Sequence, residues 1–152
     1  VSRDTNLLAE YVRQSLARQI CSQYVDKSET ITVVTIDPKL EETLINSVHQ
    51  SEYGSFLALE PHMGEKILGQ IEELINNFFK MNKTAVILCS PRLRPHFKKF
   101  VERTYPKLIV LSIDTVSVFF VIILFILDNH YFLLRNHQLV FYDYKFRCYK
   151  RF

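Results

Sequence analysis

The sequence predicts an α/β domain: short strands, most of them ended by an X-Pro pair, alternate with helices that pack on a small sheet, and one helix precedes them. Three observations predict this fold. Three apolar or β-branched runs each stop at a proline pair, at Asp37-Pro38, Glu60-Pro61 and Ser90-Pro91. Each is followed by apolar residues at three- and four-residue spacing, the mark of a helix with one buried face. The chain of 152 residues is 48% hydrophobic, enough to bury one core.

The elements follow in order. Asp4 and Thr5 offer caps for a first helix, in which Leu7, Leu8, Tyr11, Val12, Leu16 and Ile20 recur at helical spacing. That stripe predicts a helix docked by its apolar face. VDKSET breaks the pattern as a loop. ITVVTI is then a strand, and Leu40, Leu44, Ile45 and Val48 mark the helix after it. SFLALE is a second strand, followed by Met63, Ile67, Leu68, Ile71, Leu74, Ile75 and Phe78. TAVILC is a third, followed by Leu93, Phe97, Phe100 and Val101. KLIVLS, after Pro106, is a fourth short strand. Proline suits a helix start because its missing N–H would lack a partner there anyway. It also pushes the preceding residue into extended geometry, which ends the strand. Asp37 and Ser90 can accept from first-turn amides, and Glu60 is a weaker cap placed at the positive helix end. Connections this short allow parallel strands joined through helices, and allow a mixed sheet equally.

From Val116 the composition changes, and more than half of the aromatic residues fall beyond this point. The uncharged apolar core runs only from Val116 to Leu127, short for a membrane span of roughly 20 residues. A transmembrane helix, a buried β-rich element, and a segment that is no natural fold element are the three readings of this tail.

Few residues suggest chemistry. The net charge of +3 does not imply nucleic acid. Cys21, Cys89 and Cys148 are odd in number and far apart, which argues against a disulfide framework and suits a reducing compartment. With three glycines and no phosphate loop, the loops are not built to wrap a cofactor. Cys89 ends an apolar strand beside Arg92 and Arg94, where a helix N-terminus could lower a thiol pKa. Ser90 as a cap and Pro91 as the first helical residue explain the same letters without catalysis, and no base is placed beside the thiol. Asp37 and Glu60 read as helix starts rather than an acid–base pair. His49, His62, His96, His130 and His137 have no paired ligand spacing and read as surface or boundary residues. Arg92, Arg94, Lys98, Lys99, Arg103 and Lys107 make the third strand's helix basic. Phe97 and Phe100 lie on its inward stripe, so nucleic-acid stacking is the weaker reading.

In order and spacing, EYVRQSLARQIC, VVTIDPKLEETL, GSFLALEP, AVILCSPRLRP and YPKLIVLS resemble the cytoplasmic C-terminal region of the FlhA family, the flagellar export gates of type III secretion. The resemblance covers about Leu7 to Ser112, and VRQSLARQI is more similar to flagellar than to virulence-associated members. It implies a non-enzymatic, cofactor-free protein-contact unit. The full-length family has a membrane-spanning N-terminal half at the bacterial inner membrane. It forms a homo-oligomeric cytoplasmic ring, and it works with other export-apparatus subunits and chaperone–substrate complexes. This chain, which begins at Val1, is then a piece of something longer and itself cytoplasmic. Residues 1–27 are the end of a preceding subdomain, 28–112 the α/β subdomain, and 113–152 a tail unlike the family. Members continue from VLS into a Tyr-Asn-Glu-like turn and a final strand pair, so a frameshifted tail is expected to leave a sheet edge open. A non-functional gene remnant and a virulence-type homologue are the alternatives. Arg13, Arg18, Arg92 and Arg94 are the expected exposed protein contacts. A thiol enzyme built on Cys89 and a nucleic-acid module built on the basic helix are the competing classes.

Overall fold

The computed structural model describes residues 5–27, 30–52, 54–117 and 142–147. The expected Asp4 cap, most of the apolar tail run, His130, His137 and Cys148 lie outside the described residues.

The elements run α1 (Thr5–Ser15), α2 (Ala17–Ser22), β1 (Thr30–Thr35), α3 (Pro38–Asn46), β2 (Val48–Ser51), β3 (Gly54–Leu57), α4 (Pro61–Lys80), β4 (Val86–Cys89), α5 (Arg94–Glu102), β5 (Ile109–Ser112), α6 (Ile113–Ser117) and β6 (Tyr142–Arg147). The main sheet has the order β5-β4-β1-β6. β1 pairs parallel with β4, and β4 with β5, in a register that sets Ile87 against both Val34 and Val110. β6 runs antiparallel to β1 from Thr30↔Arg147 to Thr35↔Tyr142. The sheet is therefore mixed. The tail supplies a strand to the outer side of β1, whereas β5, the last strand before the departure from the family, stays at the sheet edge with β4 as its one strand partner among the described residues.

Period-2 alternation explains the layers. Val34, Ile36, Ile87, Cys89 and Val110 point to one face, under Leu40 and Leu44 of α3, Ile67, Ile71 and Phe78 of α4, and Leu93, Phe97 and Val101 of the α5 region. Ile31, Val33, Val86, Leu88 and Leu111 point to the other, under Cys21 and Val116 with Ile20 and Tyr24 beside them. Strands covered on both faces read as continuous apolar runs, as VILC and IVL do. Each fully buried Leu, Ile or Val contributes about 1.5–3 kcal/mol.

Four local expectations are corrected. The first helix is two: bonds from Leu16 N to Val12 O and from Ile20 N to Leu16 O carry helical pairing across Leu16, where φ −96° and ψ 16° mark a kink. Ser15 Oγ donates back to Tyr11 O at 3.0 Å, a competing bond of the kind that bends helices. The stripe Leu7, Leu8, Tyr11, Val12 and Leu16 faces solvent, and the buried residue of α1 is Glu10. SFLALE does not enter the main sheet. Its strand, β3, forms a ribbon with β2, from Val48↔Leu57 to Ser51↔Gly54, so α3 stops before Val48. Gly54 closes the turn at φ 108°, a conformation open to glycine and strained for other residues. Finally, Pro91 is not the first residue of α5. Leu93 and Arg94 amides bond Ser90 O in a preceding turn, and α5 begins at Arg94.

Two caps behave as the sequence predicts. Asp37 Oδ1 accepts from Lys39 N at 2.9 Å and Leu40 N at 3.2 Å. Glu60 makes no side-chain cap bond. α4 ends in a left-handed turn at Asn82, φ 54°, with Lys83 N on Phe78 O and Asn82 N on Phe79 O. This pair of bonds is the Schellman closure. α6 follows β5 without a break. Ser112 Oγ accepts from Thr115 N and shares a 2.8 Å bond with Thr115 Oγ1, starting the helix whose Val116 enters the second core.

Candidate docking cleft

The β4–α5 junction lies where α/β sheets commonly bind ligands, at the carboxyl ends of parallel strands. Here the position is filled from within. Glu41, in the first turn of α3, accepts from Ser90 N at 2.6 Å. A carboxylate of the chain thus takes the strand-end amide that an anion would use. Cys89 beside it is 4% exposed, and its thiol faces Leu111 O at 3.9 Å. Burial, then the nearby Glu41, pushes this thiol well above its ordinary value, away from the thiolate that a nucleophile needs. Cys89 is a packed strand residue.

The four expected arginine contacts separate. Arg94, expected to be exposed, is 14% exposed. Its Nε donates to Val110 O at 3.1 Å, and its Nη1 to Glu10 Oε1 at 2.8 Å. It ties α1 to β5 from a seat on α5. A guanidinium is drawn inward here because it can divide its planar fork between two acceptors. Arg13 is half-buried on α1; burial, and then Arg94 nearby, lowers its pKa, with Glu10 opposing. Arg92 is exposed on the wall of a cleft, and Arg18 is exposed on α2, away from it.

The basic helix is also partly consumed by the fold. Lys98 Nζ donates to Leu108 O at 2.8 Å and Pro106 O at 3.3 Å. Burial lowers its pKa. Phe97 is buried and Phe100 half-buried, with ring centroids 6.4 Å apart, so neither forms a stacking platform. Of the described histidines, His49 and His62 are exposed, whereas His96, expected at the surface or boundary, is buried on α5 and borders the cleft.

The cleft itself opens between α1 and the α/β body, with a volume of about 560 Å³. Leu7, Glu10 and Tyr11 of α1 form one side, and Val48, Pro95 and Asp114 are among the residues opposite. Asn6 Nδ2 reaches Ser55 Oγ at 3.3 Å and links α1 to the ribbon. At the floor, Glu10 is 6% exposed, and its Oε2 has no hydrogen-bond partner among the described residues. Sequence reasoning missed Glu10 because it sits on the side of α1 that the apolar stripe marks as outward. The signal that could have found it is the i,i+3 pairing of Glu10 with Arg13.

Comparison with known proteins places these elements. Over 112 residues the chain is 38% identical to the flagellar biosynthesis protein FlhA of Bacillus subtilis, a match over 74% of this chain and 16% of the relative. It is 34% identical over 110 residues to the low calcium response locus protein D of Yersinia pestis, over 72% of this chain and again 16% of the relative. The chain therefore spans about one sixth of the length of these curated relatives. Among solved structures, nonameric EPEC SctV-C superposes with a TM-score of 0.62 at 30% identity, covering 76% of this chain and 34% of that one. The model of the FHIPEP family matches residues 1–118, reaching past Ser112 through α6. The chain belongs to the FHIPEP family, whose members include the FlhA-type export gates.

Proposed function

We propose that this chain is part of the cytoplasmic domain of a flagellar protein-export gate and acts in protein secretion and flagellum assembly through protein–protein contacts. The observation that carries the reading is the 38% identity to the flagellar relative over 112 residues. On this reading the working parts are faces, and no reaction is assigned to the segment. Residues 1–27 are the end of a preceding subdomain. The outward stripe of Leu7, Leu8, Tyr11, Val12 and Leu16 is what such an element leaves uncovered when the rest of its subdomain lies outside the chain. Residues 28–112, continued by α6, are the α/β subdomain, and the remainder is the tail that departs from the family. Arg18 and Arg92, both exposed, are the proposed surface contacts, while Arg94 ties α1 to the α/β body through Glu10.

The assembled gate would be a homo-oligomeric ring, a proposal supported by the nonameric state of EPEC SctV-C. It would sit at the cytoplasmic face of the bacterial inner membrane and meet other export subunits and chaperone–substrate complexes. Among the described residues no helix is long and apolar enough to cross a membrane. The 34% identity to the Yersinia relative favours a second reading, a virulence-type gate. A graft tests both. Residues 5–117 replace the matching segment of the B. subtilis relative, and swimming is scored in a strain lacking its own gate. Motility is the expected result. A stable, membrane-located graft without motility would contradict the flagellar reading.

A further inference from the structure

We propose that Arg94 and Lys98 of α5 guard the open edge of the main sheet, closing β5 against an antiparallel β5 strand from a second copy of this chain. The proposal concerns the sheet edge alone and stands whichever gate the chain serves.

The edge carries no protection of its own. β5 ends the sheet order and has β4 as its one strand partner among the described residues. An unpaired edge is a template for strand addition, and proteins blunt it with a charge, a proline or a bulge. β5 reads IVLS and has neither charge nor proline. Its register with β4 runs unbroken from Val86↔Ile109 to Cys89↔Ser112, so it has no bulge either.

The protection comes from the helix. Successive carbonyls of an extended strand point to opposite sides. Leu111 O lies on the β4 side, 3.9 Å from Cys89 Sγ, so Val110 O turns to the open edge. Arg94 Nε donates to Val110 O at 3.1 Å. Lys98 Nζ donates to Leu108 O at 2.8 Å and to Pro106 O, in the turn before β5, at 3.3 Å. Arg94 and Lys98 are four residues apart and share one face of α5. Glu102, four residues beyond Lys98, is the ordinary helical partner for a lysine, yet these bonds go to the strand side. The salt bridge to Glu10 fixes Arg94. Half-exposed Lys98 is the removable part.

Self-complementarity selects a second copy as the strand held off. Leu108 to Leu111 is an uncharged, β-prone run. Two β5 strands paired antiparallel about a two-fold axis set the same outward groups of each copy opposite one another. In that arrangement the two pairs of cations also face each other, and like charges directly opposite repel.

The test is binding of a fluorescent, end-blocked peptide of residues 107–112, Lys-Leu-Ile-Val-Leu-Ser, to the 152-residue chain, read by anisotropy. The unaltered chain is expected to bind it weakly. Lys98→Met keeps a long stem and helix propensity but frees Leu108 O and Pro106 O. It is expected to bind about tenfold or more tighter, the size of one charge-assisted bond no longer in the way. Lys98→Arg, which keeps charge and donors, is expected to stay closed. Adding Arg94→Met to Lys98→Met frees Val110 O and is expected to tighten binding further; Lys98→Met alone decides the matter where that double variant fails to fold. The same peptide with every backbone amide N-methylated is expected not to bind, since it cannot donate to an edge. In sedimentation, Lys98→Met is expected to gain a dimer that excess unlabelled peptide dissolves, which association through the α1 stripe would not do. Equal binding by the unaltered chain and Lys98→Met, tight binding by Lys98→Arg, binding of the methylated peptide, absence of a peptide-sensitive dimer, or failure of Lys98→Met to fold each overturns the proposal.

Discussion

Glu10 and Arg94 carry the largest single-residue consequence. Both are mostly buried and joined at 2.8 Å, and breaking a buried pair by removing one partner costs about 3–5 kcal/mol because the other charge is stranded. Arg94→Ala is expected to lower unfolding free energy at the low end of that range, since Arg94 keeps some exposure. The double variant with Glu10→Ala should recover part of the loss in urea unfolding. Equal, additive losses would mean that the two residues do not act as a pair. Cys89 gives a pH-dependent signature. Its folded-state pKa is raised above the ordinary 9.0, so the native state holds a proton that the unfolded chain releases first. Its stabilising contribution is complete below that value and is lost as pH rises above it. Unfolding curves at rising alkaline pH should fall more steeply for the natural chain than for Cys89→Ala, and alkylation of Cys89 should require opening of the core. The strand-end position of Cys89 was legible in ILCSP. The pairing of Glu10 with Arg94 was not, because 84 residues separate the two and no periodicity links them.

The caps test the account at the level of single elements. Asp37→Ala removes two bonds from the start of α3 and is expected to cost about 1 kcal/mol. Glu60→Ala, which removes no cap bond, should change stability much less in the same denaturation assay. At the end of α4, Asn82 holds a left-handed conformation. Asn82→Gly should be neutral or slightly stabilising, and Asn82→Val should cost about 1–2 kcal/mol. The X-Pro pairs made α3 and α4 readable because capping is local. The β2–β3 ribbon was unreadable for the opposite reason. VHQS carries one half-buried and three exposed positions, so no buried face imposes an alternation. The kink at Leu16 was likewise hidden, since Ser15 suits either a straight or a bent helix until its hydroxyl finds Tyr11 O. The apolar stripe of α1 was legible as a stripe, but the expectation that it docks is not met by the described residues, where it faces solvent.

At the scale of the whole molecule, the proposed reading accounts for that outward stripe as a contact face of a larger assembly. The chain covers 34% of the solved SctV-C chain and 16% of the flagellar relative. An exposed apolar face of this kind marks a protein–protein contact site. Changing Leu8, Tyr11 and Val12 together to serine should leave the unfolding free energy of this chain within about 0.5 kcal/mol per site. The same change should reduce its self-association in sedimentation. A large loss of stability would mean that these side chains support the fold itself. The α/β class, four of the five sheet or ribbon strands before the tail, and the export-gate resemblance were legible because they rest on repeated local patterns. The strand contributed by residues 142–147 was not, because its pairing with β1 links segments far apart in the sequence.

The most direct measurement of whether this domain works by contact is secretion of flagellar subunits into the medium by cells carrying the grafted gate. Two variants are compared with the parent graft: Cys89→Ala, and Leu8→Asp combined with Tyr11→Asp and Val12→Asp. The account predicts that the cysteine change leaves secretion intact and that the charged stripe abolishes it while the protein still accumulates. Loss of secretion with Cys89→Ala in a folded graft, together with normal secretion from the charged stripe, would contradict it.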